Sequence, residues 1–457
     1  MSLLIKNGTV VTATDTYEAD VFIEDETVKT IGKNLSVSAD RTIDAKGCYL
    51  FPGGIDAHTH MELPFMGTFS SDTFESGTIA GLHGGTTTII DFAIQTQGDS
   101  LNNALNQWHE KADGKAISDY AFHVAVTDFN DKTKAEIKDI VEKRGVTSFK
   151  TFMAYKGALM VDDRQMLGLF DELKKHGALL TTHAENGDMV DKLVAENVAK
   201  GNLAPKFHVE SRPPLAEAEA SGRVIDLAWQ GNHPLYIVHM TCEAALARVR
   251  AATLRNQKVH VETCVQYLLL DKSLYYKDGF EGSKWVMSPP LREKSDQEAL
   301  WAGINQGLVH TVATDHCPFC MDQKKMGEKA FNKIPNGAPG VEDRMALMFS
   351  EGVLKGKISL NKYVEVNSTA PAKIFGMFPK KGTIAIGSDA DIVVFDPKAQ
   401  HTISAKTHHM KCDYSAYEGW KLTGKPRQTV LRGKVVIDEG KENFSKGYGK
   451  YIHRKPL

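Results

Sequence analysis

The chain has 457 residues, 42% hydrophobic and 25% charged, the composition of a soluble globular protein too long for one ordinary core. A net charge of −2 with no basic block gives a nucleic acid or an anionic membrane no electrostatic footing. The longest apolar runs are strand-sized, so no transmembrane helix is expected, and the first residues lack the basic and apolar stretches of a signal peptide.

The first fifty residues read as β. Short strands at 3–6 and 9–12 are broken by Asn7-Gly8, and strands at 20–24 and 27–32 form a hairpin around Asp25-Glu26. The middle alternates. β-branched runs recur at 49–58, 86–92, 120–126, 147–152, 178–183, 235–239, 259–263 and 309–315, with helical stretches such as 163–175, 217–229 and 243–255 between them. About eight β/α units favour a closed barrel. A doubly wound sheet would want a Gly-rich phosphate turn after an early strand, and none is evident. The end returns to β, with a strand at 391–397 and a pair at 429–432 and 434–437 around Gly433. The expected architecture is α/β: a (β/α)8 TIM-like barrel over 51–375, and a small β-sandwich built from 1–50 and 376–457, the last part including a polar C-terminal tail. There is no internal repeat or low-complexity segment.

Six cysteines, Cys48, Cys242, Cys264, Cys317, Cys320 and Cys412, are too few and scattered for a disulfide framework, which points to a reducing cytoplasm. Cys317-Pro318-Phe319-Cys320 has redox or zinc spacing, but no second pair sits nearby, and it reads as two small side chains in a loop.

The strongest local signal is Gly53-Gly54-Ile55-Asp56-Ala57-His58-Thr59-His60, where the first barrel strand should end. Side chains two apart on a strand share a face, so His58 and His60 can aim two imidazoles at one point, as a metal requires. Other runs end in chemistry too: Lys150, His183, His239 and Asp315 close the fourth, fifth, sixth and eighth. Barrel enzymes build active sites at the C-terminal ends of their strands. Any one of these residues reads equally well as a hydrogen-bonded histidine or a capping aspartate; the set does not. The remaining histidines, among them His109, His176, His208, His401, His408 and His453, read as surface or structural. Lys150 stands apart, because an ammonium has no lone pair for a metal. Two chemistries stay open for it. A neutral lysine can take up carbon dioxide as a carbamate whose two oxygens could bridge two metals, or the side chain binds an anionic substrate or a buried ion partner.

His58-x-His60, Lys150, His183, His239 and Asp315, in this order, resemble the cyclic amidohydrolases, with the D-hydantoinases and dihydropyrimidinases nearest. The resemblance spans essentially the whole chain, including the Gly387–Val393 stretch around Asp389 and Asp391, and no ligand position departs from the pattern. It implies hydrolysis of 5-monosubstituted hydantoins or dihydropyrimidines to N-carbamoyl amino acids. It also implies two divalent metals, zinc first, with manganese and cobalt also suited to nitrogen and oxygen ligands. His58, His60 and Asp315 would bind the more buried metal, His183 and His239 the more exposed one, and carboxylated Lys150 would bridge them. Tyr155 matches the family's substrate-binding tyrosine and would steady the oxyanion, while Asp315 would shuttle the proton. Ser288 and Asn336 match its backbone contacts to the ring. A homotetramer or homodimer acting on a small cyclic amide, without nucleic acid or membrane, is implied as well.

The related dihydroorotases place an arginine two residues after the second histidine. Here that residue is Glu62, which would repel a substrate carboxylate. Leu63, Phe65 and Phe152 suggest an apolar wall for an alkyl or aryl substituent, although loop packing explains each equally well. An allantoinase on the same centre is the runner-up activity. A metal-free structural relative is the non-enzyme alternative, and the retention of all six ligands argues against it.

Overall fold

The computed structural model describes residues 2–456. The chain opens with β1 (Ser2–Val11), β2 (Thr16–Glu24), β3 (Thr27–Gly32), β4 (Arg41–Asp44) and β5 (Tyr49–Pro52). β1 is one strand where two were expected. Asn7 takes φ 61° and the register against β2 shifts between Ile5 and Gly8, so the break in the apolar pattern is a bulge rather than a turn. β2 and β3 pair as the expected hairpin, with Asp25 and Glu26 both at positive φ.

Next come β6 (Gly54–Thr59), the two-residue strands β7 (Pro64–Phe65) and β8 (Thr68–Phe69), β9 (Thr86–Ile94), β10 (Asp119–Ala125), β11 (Ser148–Phe152), β12 (Leu179–His183), β13 (Leu235–Ile237), β14 (Val259–Cys264) and β15 (Thr311–Ala313). β6 and β9–β15 form an eight-stranded parallel sheet in sequence order. Its ends meet: Thr59 bridges His316, and the His60 N–H donates to the His316 carbonyl at 2.8 Å. The strands are buried nearly throughout, as expected of a parallel sheet covered on its outer face by helices. The (β/α)8 barrel is therefore present.

The helices obey ordinary rules. Asp163–Lys175 begins at Asp162, whose side chain accepts from the Gln165 N–H while Gln165 reaches back, a capping box. It buries Met166, Leu169, Phe170 and Leu173, the i, i+3, i+4, i+7 stripe that faces a core. Truncating Leu169 to alanine would cost about 2–5 kcal/mol. The stretch expected at 217–229 lies inside Pro214–Gln230, and that at 243–255 is Glu243–Thr253.

Residues 49–58, read as the first barrel strand, belong to two sheets. β5 pairs with β1 and β16, whereas β6 pairs with β9. Gly53 is the join, and a β-carbon there would collide with Thr87. Residues 50–55 carry no polar side chain because the chain there crosses from one core into another, which leaves no polar signal at the boundary.

The chain ends with β16 (Ile392–Thr402), β17 (Lys421–Leu431), β18 (Lys434–Asp438) and β19 (Lys441–Glu442). They join the opening strands in one nine-stranded sheet, ordered β19-β18-β17-β16-β5-β1-β2-β3 with β4 beside β1. Its own core includes Ile5, Val21, Ile23, Leu50, Ile392, Val394 and Val430, drawn from both ends of the chain. β17 begins well before the expected residue 429 because its polar first half pairs along β16, and pairing needs no apolar alternation. Between the two units, Lys381 Nζ donates to Asp119 Oδ2 and Asp391 Oδ2, each at 2.6 Å, with all three buried. The tail docks on the barrel through Arg454, whose Nη1 donates to Ser148 Oγ at 2.8 Å. Among the described residues, no helix is long and apolar enough to cross a membrane.

Candidate metal centre and substrate cleft

The ends of β6, β11, β12, β13 and β15 converge on one cleft. It is lined by His58, His60, Lys150, His183, His239 and Asp315, together with Leu63, Phe65, Phe152, Tyr155, Ser288 and Asn336. The six candidate metal ligands and the six candidate substrate contacts named from the sequence thus lie on a single surface.

Two donor groups can be distinguished. His58 Nε2 and His60 Nε2 lie 3.2 and 3.1 Å from Asp315 Oδ1, and the ligand atoms of this trio are mutually within 4.8 Å. His183 Nδ1 and His239 Nε2 face each other at 3.0 Å. The His58 and His239 rings are 5.3 Å apart, which makes the two groups neighbours. Between them Lys150 is buried, its Nζ 4.8 Å from the Phe92 ring centroid and 5.0 Å from that of Phe152.

The local backbone explains the convergence. β13 and β15 end at Ile237 and Ala313, short of the 239 and 315 expected, because His239 (φ 39°) and Asp315 (φ 51°) have turned into the left-handed region. Tyr155 does the same at φ 64°. Residues with a β-carbon hold such angles only where the surroundings impose them, and they cluster at functional sites. Asp56 is one such imposition. Buried on β6, it accepts from the Thr314 hydroxyl at 2.6 Å and from the Thr314 and His58 N–H groups at 3.2 Å, stapling the end of β6 to the end of β15.

Carboxylates behind the histidines fix which ring nitrogen faces the cleft. Glu262 Oε1 accepts from His58 Nδ1 at 2.6 Å and from the His239 N–H at 3.0 Å, while its Oε2 accepts from the Tyr236 hydroxyl at 2.8 Å. Glu185 Oε2 takes His183 Nε2 at 2.8 Å and Arg212 Nη1 at 2.6 Å. Asp91 accepts from the Thr59 hydroxyl, the Met61 N–H and Trp108 Nε1, all at 2.8 Å, and so frames His60. Sequence reasoning missed Glu185, Glu262, Asp56 and Asp91. Glu185 carried a signal, since it stands two residues after His183. Glu262 sat in a run read only as a strand.

The charge states suit a cation. Burial holds His58 and His239 well below the usual imidazole range and lowers His183, so their lone pairs stay free. Burial works against ionisation of Asp315, but His58 and His60 outweigh it and keep the carboxylate charged. Burial also pulls Lys150 down to about 8, against Asp315 and Glu262, so a neutral amine is accessible near physiological pH. His60 Nδ1 and His239 Nδ1 are buried without a partner. Four imidazoles and a carboxylate gathered around Lys150 form a donor set that fits divalent metals.

The substrate side has its own scaffold. Tyr155 packs against Phe65 and Phe152, with ring centroids 6.0 Å away in each case, and the Arg212 guanidinium lies 5.6 Å from its ring. Burial pushes its phenol up, which keeps the proton available for donation. Asn336 Nδ2 donates to Ser288 Oγ at 3.1 Å. Buried Lys324 ties their segments together, donating to the carbonyls of Val286, Pro335 and Gly337 at 3.0, 2.7 and 2.7 Å. His208 is buried and bonds the Met287 carbonyl at 2.7 Å, a structural role beside Ser288. Glu62 requires a correction. Its Oε2 accepts from the Phe74 N–H at the start of helix Phe74–His83, and it does not line the cleft. The helix end attracts this carboxylate, so it is not positioned to repel a substrate.

The model of the Amidohydrolase family matches residues 49–436. The chain belongs to the amidohydrolase family. Within this family it is 48% identical over 455 residues to a D-hydantoinase of Geobacillus stearothermophilus, covering 99% of this chain and 97% of that protein. A dihydropyrimidinase of Rattus norvegicus is 44% identical over 462 residues, covering 100% and 89%. The crystal structure of a dihydropyrimidinase from Brevibacillus agri superposes with a TM-score of 0.99 at 50% identity, covering 100% of this amidohydrolase and 99% of that chain.

Proposed function

We propose that this amidohydrolase opens the ring of 5-monosubstituted hydantoins or dihydropyrimidines, giving N-carbamoyl amino acids. The observation that carries the reading is the convergence of His58, His60 and Asp315 with His183 and His239 around buried Lys150. Similarity to the D-hydantoinase and the dihydropyrimidinase supports the substrate class. In this reading the catalytic barrel starts at Gly54, past the expected residue 51, and runs to 375, and residues 2–52 with 376–456 form the accompanying β-unit.

Two divalent cations, zinc by preference and manganese or cobalt otherwise, would when bound act as Lewis acids on the ring carbonyl and make water acidic enough to attack it. His58, His60 and Asp315 would hold one, His183 and His239 the other. Lys150 would join both as a carbamate: its neutral Nζ adds to the carbon of CO2, losing a proton as the N–C bond forms. Asp315 would accept the proton of the attacking water and deliver it to the leaving ring nitrogen. The Tyr155 hydroxyl would donate to the developing oxyanion. Backbone groups at Ser288 and Asn336 would hold the ring, and Leu63, Phe65 and Phe152 would pack on its substituent. We further take the protein to be a cytoplasmic homotetramer or homodimer, which light scattering checks.

The test is a panel of phenylhydantoin, dihydrouracil and allantoin, with metal content measured on the same sample. Turnover of the first two with two metals per chain is expected, and turnover of allantoin alone would replace the reading with the runner-up. Lys150→Ala should lose metal and activity together, and full activity in that variant refutes the bridge.

A further inference from the structure

The Cys317-Pro318-Phe319-Cys320 spacing does not describe a pair. Cys317 lines the cleft, whereas Cys320 sits against Cys412, from the segment between β16 and β17. Their sulfur atoms and the Asp413 carboxylate lie within 4.8 Å of one another. Reciprocal contacts lace the two segments together. Cys320 Sγ lies 3.5 Å from the Lys411 carbonyl, Cys412 Sγ lies 3.9 Å from the Phe319 carbonyl, and the Met321 N–H donates to Asp413 Oδ1 at 2.9 Å. Cys320 is partly exposed and Cys412 is buried. The other four cysteines are buried as well, and all six are free thiols.

We propose that Cys320 and Cys412 are an oxidisable dithiol that a small-molecule disulfide converts to an intramolecular cross-link. The Cys320 thiolate attacks one sulfur of the oxidant, forming a mixed disulfide and expelling one thiolate. Cys412 loses its proton and attacks Cys320 Sγ, expelling the second. Two protein S–H groups are oxidised to one S–S bond, and the oxidant is reduced to two thiols. The roles follow from the surroundings. The Cys412 thiol and the Asp413 N–H beside partly exposed Cys320 draw its thiol down, which favours it as the attacking group. Buried Cys412 is pushed up and stays protonated until the mixed disulfide forms beside it. An accessible, acidic thiol next to a buried resolving one is the arrangement of a redox-sensitive pair. The cross-link would fasten the loop that carries Lys324, and through it the Ser288 and Asn336 segments, to the Lys411 segment, whose N–H is held by Asp72 at 2.9 Å.

The test titrates the metal-loaded enzyme with oxidised glutathione and maps unreduced peptides by mass spectrometry. The expected result is an intact mass lower by about 2 Da, two of the six thiols lost, and one peptide joining Cys320 to Cys412. The rate should rise with pH as Cys320 ionises, below the range of an ordinary thiol, and exceed that of any other thiol at least tenfold. Cys412→Ser should stop at a stable glutathione adduct on Cys320, and Cys320→Ser should react at neither position. A stable adduct on Cys320 in the unaltered protein overturns the proposal, as does a Cys317–Cys320 bridge. So do six persistent thiols that yield only after chelation, which would mark the cluster as a cation site.

Discussion

Glu262 offers the sharpest test of how the metal centre is built. It touches no cleft surface, yet it accepts three hydrogen bonds, from His58 Nδ1, the His239 N–H and the Tyr236 hydroxyl. In Glu262→Gln the amide oxygen can still take His58 and His239. The amide NH2 then faces Tyr236, whose own proton can turn to Thr311 Oγ1, 2.7 Å away. Burial pushes the Glu262 carboxyl up to about 8, and cations bound at His58 and His239 would hold it ionised. In the metal-loaded enzyme shape and bond count therefore survive and the charge is lost. A hydrogen bond to a charged acceptor contributes about 1.5–3 kcal/mol against about 0.5–1.5 for a neutral one. The expected loss is therefore about 1–1.5 kcal/mol at His58, or roughly tenfold in metal retention, the lower end of the range seen for groups behind metal ligands. Glu262→Leu removes every acceptor. The His58 and His239 donors are then buried and unpaired at about 1–3 kcal/mol each, so metal retention should fall a hundredfold or more. The assay equilibrates each variant in a graded chelator buffer and measures bound metal, kcat and thermal midpoint on the same samples. If Glu262→Gln holds metal and turns over like the unaltered enzyme, the claim that this carboxylate sets the face of His58 is wrong.

Tyr155→Phe should keep its metal and lose about 10²–10³-fold in kcat, because only the oxyanion donor is removed; a parallel loss of metal would place the residue elsewhere. Phe65→Ala should raise KM for phenylhydantoin roughly tenfold and leave dihydrouracil nearly unchanged, which steady-state kinetics decides. Arg344 is fully buried and donates to the Ile55 and Val312 carbonyls at 3.1 and 2.8 Å beside Asp56, so Arg344→Met should cost about 3–5 kcal/mol in urea unfolding. Burial opposes ionisation of Asp72, but hydrogen bonds from His316 and Ser76 outweigh it and lower its carboxyl. A depressed folded-state value gives stability that is present above the unfolded value of about 3.9 and is lost as pH falls through the folded one. Asp72→Asn should therefore be less stable at pH 7, with the gap closing below about pH 4; a gap constant into acid would contradict the assignment.

The alternation of β-branched runs with amphipathic stretches made the barrel legible, because burial on both faces of a parallel sheet and the helical stripe leave distinct periods in the chain. The six converging side chains were legible for a related reason: barrel geometry sends the last residues of every strand to one rim, so candidate ligands far apart in sequence can be read as one set. Composition, charge and run length likewise pointed away from nucleic acid and membrane before any fold was considered. Other features depended on contacts across the chain. The split of residues 49–58 between two sheets, the staple from Asp56 to Thr314, the carboxylates behind His58 and His183, the turning of Glu62 to a helix end and the meeting of Cys320 with Cys412 have no periodic signature. A repeating pattern reports which face of an element is buried, and which partner a buried polar group finds is decided only when distant elements pack.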